Sequence, residues 1–192
     1  MALTALSQRQ TPRQVEGHAL AFVRKVCSVA IVSIAAVLLA LPHSSAANTT
    51  TGLVVGIADG DTLTLLDGDH VQHKIRLAGI DAPEKRQAFG NRSKQNLAEL
   101  VFRKQVTVEW NKFDRYGRVI GKVLAGGDDV CLAQVRAGLA WHYKAYEREQ
   151  GAADRERYAQ AELDARASRR GLWRDASPVP PWEFRHPHKF GR

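Results

Sequence analysis

The sequence predicts an α+β domain, in which a five-stranded β-barrel of the OB-fold type is flanked by three α-helices. Five short segments have strand character, and a tight-turn signal joins the second to the third. Three longer segments have apolar residues at helical spacing or an excess of strong helix formers. The same order of elements also fits an open α+β sheet, which is the alternative.

The first 47 of the 192 residues have the layout of a secretory signal. Four basic residues precede an apolar run over 26–41, and the small residues of "HSSAAN" follow. The run is shorter than the roughly 20 residues that span a bilayer. We therefore expect a cleaved signal that engages the export machinery, and a secreted or periplasmic protein. An uncleaved inner-membrane anchor and a buried core helix are the alternatives.

The remaining chain is expected to comprise a domain at 48–174 and a proline-rich basic tail at 175–192. The whole chain has 28 Lys+Arg against 20 Asp+Glu, a net charge of +8, and the leader holds only four of the bases. A basic exported domain suits a polyanionic partner. Of the two cysteines, Cys131 is the one that lies after the leader, so no internal disulfide is available after cleavage. We expect its thiol to be buried.

The five predicted strands combine apolar runs with period-2 alternation. Asp67-Gly68 offers the tight turn between the second and the third, and Trp110 is expected on the core face of the fourth. The strands are "GLVVGIA" (52–58), "TLTLL" (62–66), "VQHKIRLAGI" (71–80), "QVTVEW" (105–110) and "RVIGKVL" (118–124).

Helical patterns occupy 91–104, 129–140 and 154–168. The third is followed by Gly171, which we expect to cap it. The tail "SPVPPWEFRHPH" carries several prolines and no periodicity. It is expected to be extended or mobile, with Trp182 packed against the domain.

Four clusters hold polar residues that the local pattern does not require. They are "DGDT" (59–62), "RLAGIDAPE" (76–84), "DRYGR" (114–118) and "WHYKAY" (141–146). The hairpin between the second and third strands should bring Asp61 beside Asp81. Two adjacent carboxylates repel each other, and a hard cation such as Ca²⁺ or Mg²⁺ relieves that repulsion.

Other residues in these clusters suit phosphoryl chemistry. Glu84 is placed to act as a general base on a water, and Arg76 and Arg118 can stabilise a phosphoryl transition state. An EF-hand is excluded, because the sixth position of the loop, with Asp59 as the first, is Thr64 rather than Gly. The second Asp-Gly-Asp, at 67–69, is interpreted as a hairpin turn.

The motifs "DGDT", "IRLAGIDAPE" and "DRYGR", in this order and at these distances, closely resemble those of staphylococcal-type thermonucleases. The similarity runs from about residue 52 to 173 and includes "VRAGLA". It implies an OB-fold enzyme that hydrolyses phosphodiester bonds of DNA and RNA with Ca²⁺ and leaves 3′-phosphate ends. We expect a monomer.

The resemblance also implies a role for each matching residue. Asp61 and Asp81 correspond to the calcium carboxylates and Ala82 to a backbone-carbonyl ligand. Asp59 and Thr62 lie beside these ligands.

The remaining roles concern catalysis and substrate. Arg76 and Arg118 correspond to the catalytic arginines and Glu84 to the general base. Arg115 and Tyr116 correspond to contacts of a nucleotide's terminal phosphate. Tyr143 is a candidate for base stacking, with packing as the alternative.

Two loops depart from the family pattern. The segment 84–90 and the approach to "DRYGR" are shorter than in the family. Their length affects the preference for DNA or RNA and for single- or double-stranded substrates. A non-catalytic OB-fold module that binds single-stranded nucleic acid is the alternative function. A structural calcium-binding protein is a third hypothesis.

Overall fold

The structure, a computed structural model, describes residues 48–187. The predicted signal or anchor at 1–47 and the end of the tail, 188–192, lie outside the described residues. Across the described range, no helix has the length and apolar character needed to cross a membrane.

The strands form a closed barrel, which confirms the predicted fold class. The five long strands pair in the order β3-β2-β1-β5-β6, and β6 then pairs in parallel with β3 to close the barrel. Three two-residue strands, β4, β7 and β8, were not predicted. The strands are β1 (Asn48–Ile57), β2 (Thr62–Asp67), β3 (Gln72–Leu77), β4 (Ile80–Asp81), β5 (Gln105–Phe113), β6 (Val119–Ala125), β7 (Asp128–Asp129) and β8 (Trp141–His142).

Alternating side chains of the long strands fill the barrel interior. Leu63, Leu65, Ile75 and Val108 are almost fully buried in one core. Apolar side chains at every second position of a strand reach the same face, so the period-2 pattern in the sequence becomes the lining of the barrel. Trp110, expected in the core, is only partly buried and packs against its edge.

The third predicted strand, 71–80, is broken in the structure. β3 ends at Leu77, Gly79 turns the chain with φ +73°, and β4 then pairs with β8. Arg76 and Asp81 therefore lie on two different strands, β3 and β4.

Three helices flank the barrel, as predicted, although the second has seven residues and ends before the predicted residue 140. They are α1 (Gly90–Val101), α2 (Val130–Arg136) and α3 (Ala152–Ala167), with a short α4 (Pro181–Phe184) in the tail and 3₁₀ turns at Lys144–Glu149 and Gly171–Arg174. Helix α2 packs against α1, α3 and β6. Cys131, at the start of α2, is fully buried, as expected, and burial raises the pKa of its thiol to about 12.

The prediction that Gly171 caps the third helix is wrong. Helix α3 ends at Ala167, and Arg169 takes the left-handed turn with φ +48°. Gly171 lies beside Gly138 instead, where a Cβ would come within 2.1 Å of the Gly138 carbonyl oxygen. Gly171 is therefore needed for a close backbone contact between two turns.

Candidate active site

The register of the β2–β3 hairpin places the two Asp-Gly-Asp copies at opposite ends of it. Thr62 pairs with Arg76, and the Leu77 amide donates to the Asp61 carbonyl at 2.8 Å. At the other end, the Asp67 carboxylate accepts the amides of Asp69 and Val71 at 3.0 and 2.8 Å. The second copy is therefore a hairpin turn, as interpreted from the sequence.

Asp61 and Asp81 converge on one guanidinium. Arg76 Nη1 lies 2.8 Å from Asp61 Oδ2, and Arg76 Nη2 lies 2.9 Å from Asp81 Oδ1. The exposed fraction is 6% for Asp61 and 0% for Asp81. The expected approach of these two carboxylates is therefore present.

The surrounding groups hold the Asp61 carboxylate in place. The Ala82 amide donates to Asp61 Oδ2 at 2.6 Å, and the Thr62 hydroxyl donates to Asp61 Oδ1 at 3.2 Å. The Asp61 amide in turn donates to the Asp59 carboxylate at 3.1 Å. Asp59 and Thr62 thus lie beside the predicted ligands, as expected.

Burial determines the pKa of Asp61, whereas neighbouring charges determine that of Arg76. Burial raises the pKa of Asp61 to about 7, which the charge of Arg76 only partly counteracts, and the nearby Asp59 and Asp81 raise it further. Burial alone would lower the pKa of Arg76, but the charges of Asp61 and Asp81 raise it overall. The cluster therefore has a high affinity for positive charge.

The donor set suits a hard divalent cation. The described residues contain no group of three or more His, Cys, Asp or Glu side chains placed to hold a metal ion. The predicted set is smaller, two carboxylates and a backbone carbonyl. All of its donors are oxygens, and the two carboxylates lie close together and are buried. Asp61, Asp81 and Ala82 therefore fit a cation of this class.

Glu84 lies at the edge of this cluster and is 37% exposed. Its amide donates to Gln87 Oε1 at 3.1 Å, which orders the shortened loop. Arg185, from the tail, bridges it to the aspartate, with Nη1 2.7 Å from Glu84 Oε1 and 3.2 Å from Asp81 Oδ1. Sequence reasoning missed Arg185, because an aperiodic proline-rich tail gives no sign of where it docks.

Asp114 organises the "DRYGR" turn. Its Oδ1 accepts the amides of Tyr116 and Arg118 at 2.8 and 2.9 Å, and its Oδ2 accepts Arg118 Nε at 2.7 Å. Arg118 Nη1 lies 3.5 Å from the Thr62 hydroxyl, which links this turn to the Asp61 side. The guanidinium of Arg115 lies 4.9 Å from the Tyr116 ring centroid, and that ring is 68% exposed.

Tyr143 is covered by the tail. Its ring stacks on Trp182, with centroids 5.5 Å apart and an interplanar angle of 21°. The same Trp182 contacts Trp141 edge to face, so the expected packing of Trp182 is confirmed. The stacking of a base on Tyr143 stays a prediction.

A buried polar layer supports the first Asp-Gly-Asp from beneath. Gln134, fully buried on α2, donates to the Gly60 carbonyl at 2.6 Å and to the Ser93 carbonyl at 3.1 Å. Asn96 donates to Gln134 Oε1 at 2.6 Å. Sequence reasoning missed this layer, although a glutamine between Leu132 and Val135 on an apolar helix face was a signal.

All the predicted site residues except Asp81 and Thr62 line one open cleft of ≈ 910 Å³. Those two are buried behind its wall and contact residues that line it. The cleft has the size of a binding site for small ligands or chain segments. The lining includes Asp59, Asp61, Arg76, Ala82, Glu84, Arg115, Tyr116, Arg118 and Tyr143.

Comparisons with known proteins agree with this arrangement. The model of the family described as "Staphylococcal nuclease homologue" matches residues 74–175. The chain is 42% identical over 137 residues to an uncharacterized endonuclease of Haemophilus influenzae, covering 71% of this chain and 74% of that protein.

Two further relatives are similar over comparable lengths. An uncharacterized endonuclease of Escherichia coli is 43% identical over 136 residues, which are 70% of this chain and 84% of that protein. A micrococcal nuclease of Shigella flexneri is 41% identical over 147 residues, which are 72% and 82%. The chain therefore belongs to the staphylococcal nuclease family, and it is a nuclease, an enzyme that hydrolyses phosphodiester bonds.

Proposed function

We propose that this nuclease is exported, depends on Ca²⁺, and cleaves both DNA and RNA to leave 3′-phosphate ends. The observation that carries the proposal is the convergence of Asp61 and Asp81 on Arg76, with Glu84 and Arg118 at the same cleft. An acidic pair, a proton acceptor and arginines are the groups that hydrolysis of a charged phosphodiester requires.

Asp61, Asp81 and the Ala82 carbonyl would hold the cation. When bound, Ca²⁺ would supply positive charge that neutralises a phosphate oxygen. The family is generally metal-dependent, and the hardness of these oxygen donors supports Ca²⁺ over softer ions.

Glu84 acts as the proton acceptor for the attacking water. Its carboxylate is far more exposed than those of Asp61 and Asp81, and the ordered loop 84–87 holds it at the cleft. Arg118 is anchored through Nε on Asp114, which leaves the far end of its guanidinium at the cleft for phosphate oxygens. Arg76 fixes the two aspartates and adds positive charge beside them.

The test is cleavage of single- and double-stranded DNA and of RNA by wild type and Glu84→Gln, with Ca²⁺, Mg²⁺ or EDTA. We expect Ca²⁺-dependent cleavage by wild type and a loss of about 10²–10⁴-fold in Glu84→Gln, since an amide cannot accept the proton. Glu99→Gln, an exposed position on α1, is the matched control. Equal cleavage with Ca²⁺ and EDTA would contradict the cation assignment.

The product ends need a separate measurement. We expect fragments that polynucleotide kinase labels at the 5′ end without prior phosphatase treatment, and that a polymerase extends only after 3′-phosphatase treatment. Direct extension of untreated fragments would contradict 3′-phosphate ends.

Export rests on the leader at 1–47, whose basic residues, apolar run and small residues suit a cleaved signal. Mass spectrometry of the protein recovered outside the cytoplasm tests it, with an expected new N-terminus near residue 47. An intact leader in the membrane fraction would favour the anchor instead.

A monomer is expected by light scattering.

A further inference from the structure

We propose that Arg185 and the divalent cation are alternative partners of Asp81, so that the C-terminal segment (residues 175–187) regulates cation binding. The inference rests on the proposed cation site and concerns a residue outside the motifs that define it.

Arg185 brings the tail into contact with Asp81 and Glu84. Its Nη2 lies 2.7 Å from Asp81 Oδ2 and its Nη1 lies 3.2 Å from Asp81 Oδ1, a bidentate arrangement. Asp81 Oδ1 also accepts Arg76 Nη2 at 2.9 Å. Both Asp81 oxygens are thus engaged by guanidinium N–H groups, and a cation that binds these oxygens competes with the guanidinium groups.

Arg185 is the guanidinium that can withdraw. Its side chain is 36% exposed and directly follows the short helix α4, whereas the Arg76 side chain is 15% exposed and belongs to β3 of the closed barrel. Release of Arg185 alone would be costly, because the negative charge of the buried Asp81 would then be poorly compensated. Exchange for a cation keeps the carboxylate compensated.

Specific contacts hold the segment over the cleft. Trp182 stacks on Tyr143, and Gln87 Nε2 donates to the Val179 carbonyl. The short helix α4 then carries the chain to Arg185, whose amide donates to the Pro181 carbonyl at 3.0 Å. Gln87 belongs to the loop that also carries Glu84, so the segment is anchored on both sides of the site.

The test is calcium affinity, measured by isothermal titration calorimetry on wild type, Arg185→Gln and Arg174→Gln. Arg174 is exposed in the same part of the chain and controls for the loss of one positive charge. We expect Arg185→Gln to bind Ca²⁺ about tenfold more tightly than Arg174→Gln, which corresponds to about 1.4 kcal/mol. Arg185→Lys, which keeps the charge but loses the bidentate contact, should fall between them.

The outcomes separate this inference from the proposed function. Equal affinity in Arg185→Gln and Arg174→Gln, or weaker binding in Arg185→Gln, overturns the competition and leaves the cation site intact. Absence of Ca²⁺ binding in every variant overturns both. Circular dichroism confirms that each variant is folded. If Arg185→Gln does not fold, the comparison of Arg185→Lys with wild type decides, with tighter binding expected.

Discussion

At the scale of the residue, the charged groups of Asp61, Asp81 and Arg76 lie largely buried, a position that is costly for charges in a folded protein. Two buried carboxylates share one guanidinium, and burial outweighs that attraction at Asp61. Such a cluster contributes little to stability by itself. Its physical property is a strong preference for added positive charge, from a proton, a guanidinium or a cation.

The raised pKa of Asp61 makes stability depend on pH when divalent ions are chelated. Its folded pKa of about 7 exceeds the unfolded value of 3.8, so the native state binds the extra proton between these values. The free energy of unfolding should therefore fall as pH rises from about 4 to 7, by at most about 4 kcal/mol. Urea denaturation in EDTA at several pH values measures it.

Asp61→Asn should flatten that dependence and be more stable than wild type at pH 8. Asp69→Asn, at the exposed equivalent position in the second Asp-Gly-Asp, should retain the wild-type slope. The same pH slope in Asp61→Asn and wild type would contradict the raised pKa.

Arg118 is held at the cleft by Asp114 and is expected to act on phosphate. Arg118→Gln should lower kcat/KM by about 10³–10⁵-fold, the range for other arginines in phosphoryl transfer. Arg136→Gln, an exposed position in the last turn of α2, should stay near wild type. Initial rates of nucleic-acid cleavage compare the three proteins, and a loss below tenfold in Arg118→Gln would exclude a transition-state role.

At the scale of the element, the two Asp-Gly-Asp turns differ in what lies beneath them. A Cβ on Gly60 would lie 1.9 Å from Ser93 Oγ and 2.8 Å from the Ala82 Cβ, whereas a Cβ on Gly68 would meet no atom within 4 Å. The first turn is pressed against Ser93 of α1 and against Ala82. The second is open to solvent.

Gly60→Ala should therefore destabilise the domain by about 1–3 kcal/mol, as overpacking does elsewhere. Gly68→Ala should change stability by no more than about 0.5 kcal/mol, as at ordinary surface positions. Urea denaturation of both variants tests the contrast. Equal stability of the two variants would show that Ser93 moves aside at little cost.

The sequence predicts the elements better than their ends and their partners. Alternation identified β2 and the core of β5, because one face of each strand is buried whatever it pairs with. The β4–β8 pairing, by contrast, joins Ile80–Asp81 to Trp141–His142, and nothing local in two-residue strands indicates it. The prediction of the α3 cap was wrong for the same reason. Gly171 makes a close backbone contact with Gly138, in a turn distant along the chain, and nothing local indicates this contact.

At the scale of the molecule, the basic net charge and the open cleft both favour the binding of a polyanion. Arg115 and Arg185 are exposed at the cleft and attract a polyanion, while Asp61 and Asp81 are buried. All the predicted site residues except Tyr143 came from three motifs distant in sequence, and the closed barrel brings them together. The position of Arg185 could not be predicted, because it depends on where Trp182 docks.

Substrate binding should weaken with salt, since phosphate contacts release counterions. The logarithm of KM for single-stranded DNA should rise linearly with the logarithm of the salt concentration. Arg115→Gln should reduce that slope by about 0.7, the contribution of one phosphate on a single strand. Arg136→Gln is the charge-matched control. An unchanged slope in Arg115→Gln would remove Arg115 from the phosphate contacts.

The parallel pairing of β3 with β6 has a consequence for folding kinetics. Arg76 lies opposite Ile120 in this pairing, with Arg118 immediately before β6, so the pairing that closes the barrel also brings Arg76 and Arg118 to one cleft. Pairing between segments so distant along the chain is slow compared with hairpin formation. During refolding, the hairpins should form first, and nuclease activity should return only when β3 pairs with β6. The return of activity therefore measures the rate of barrel closure.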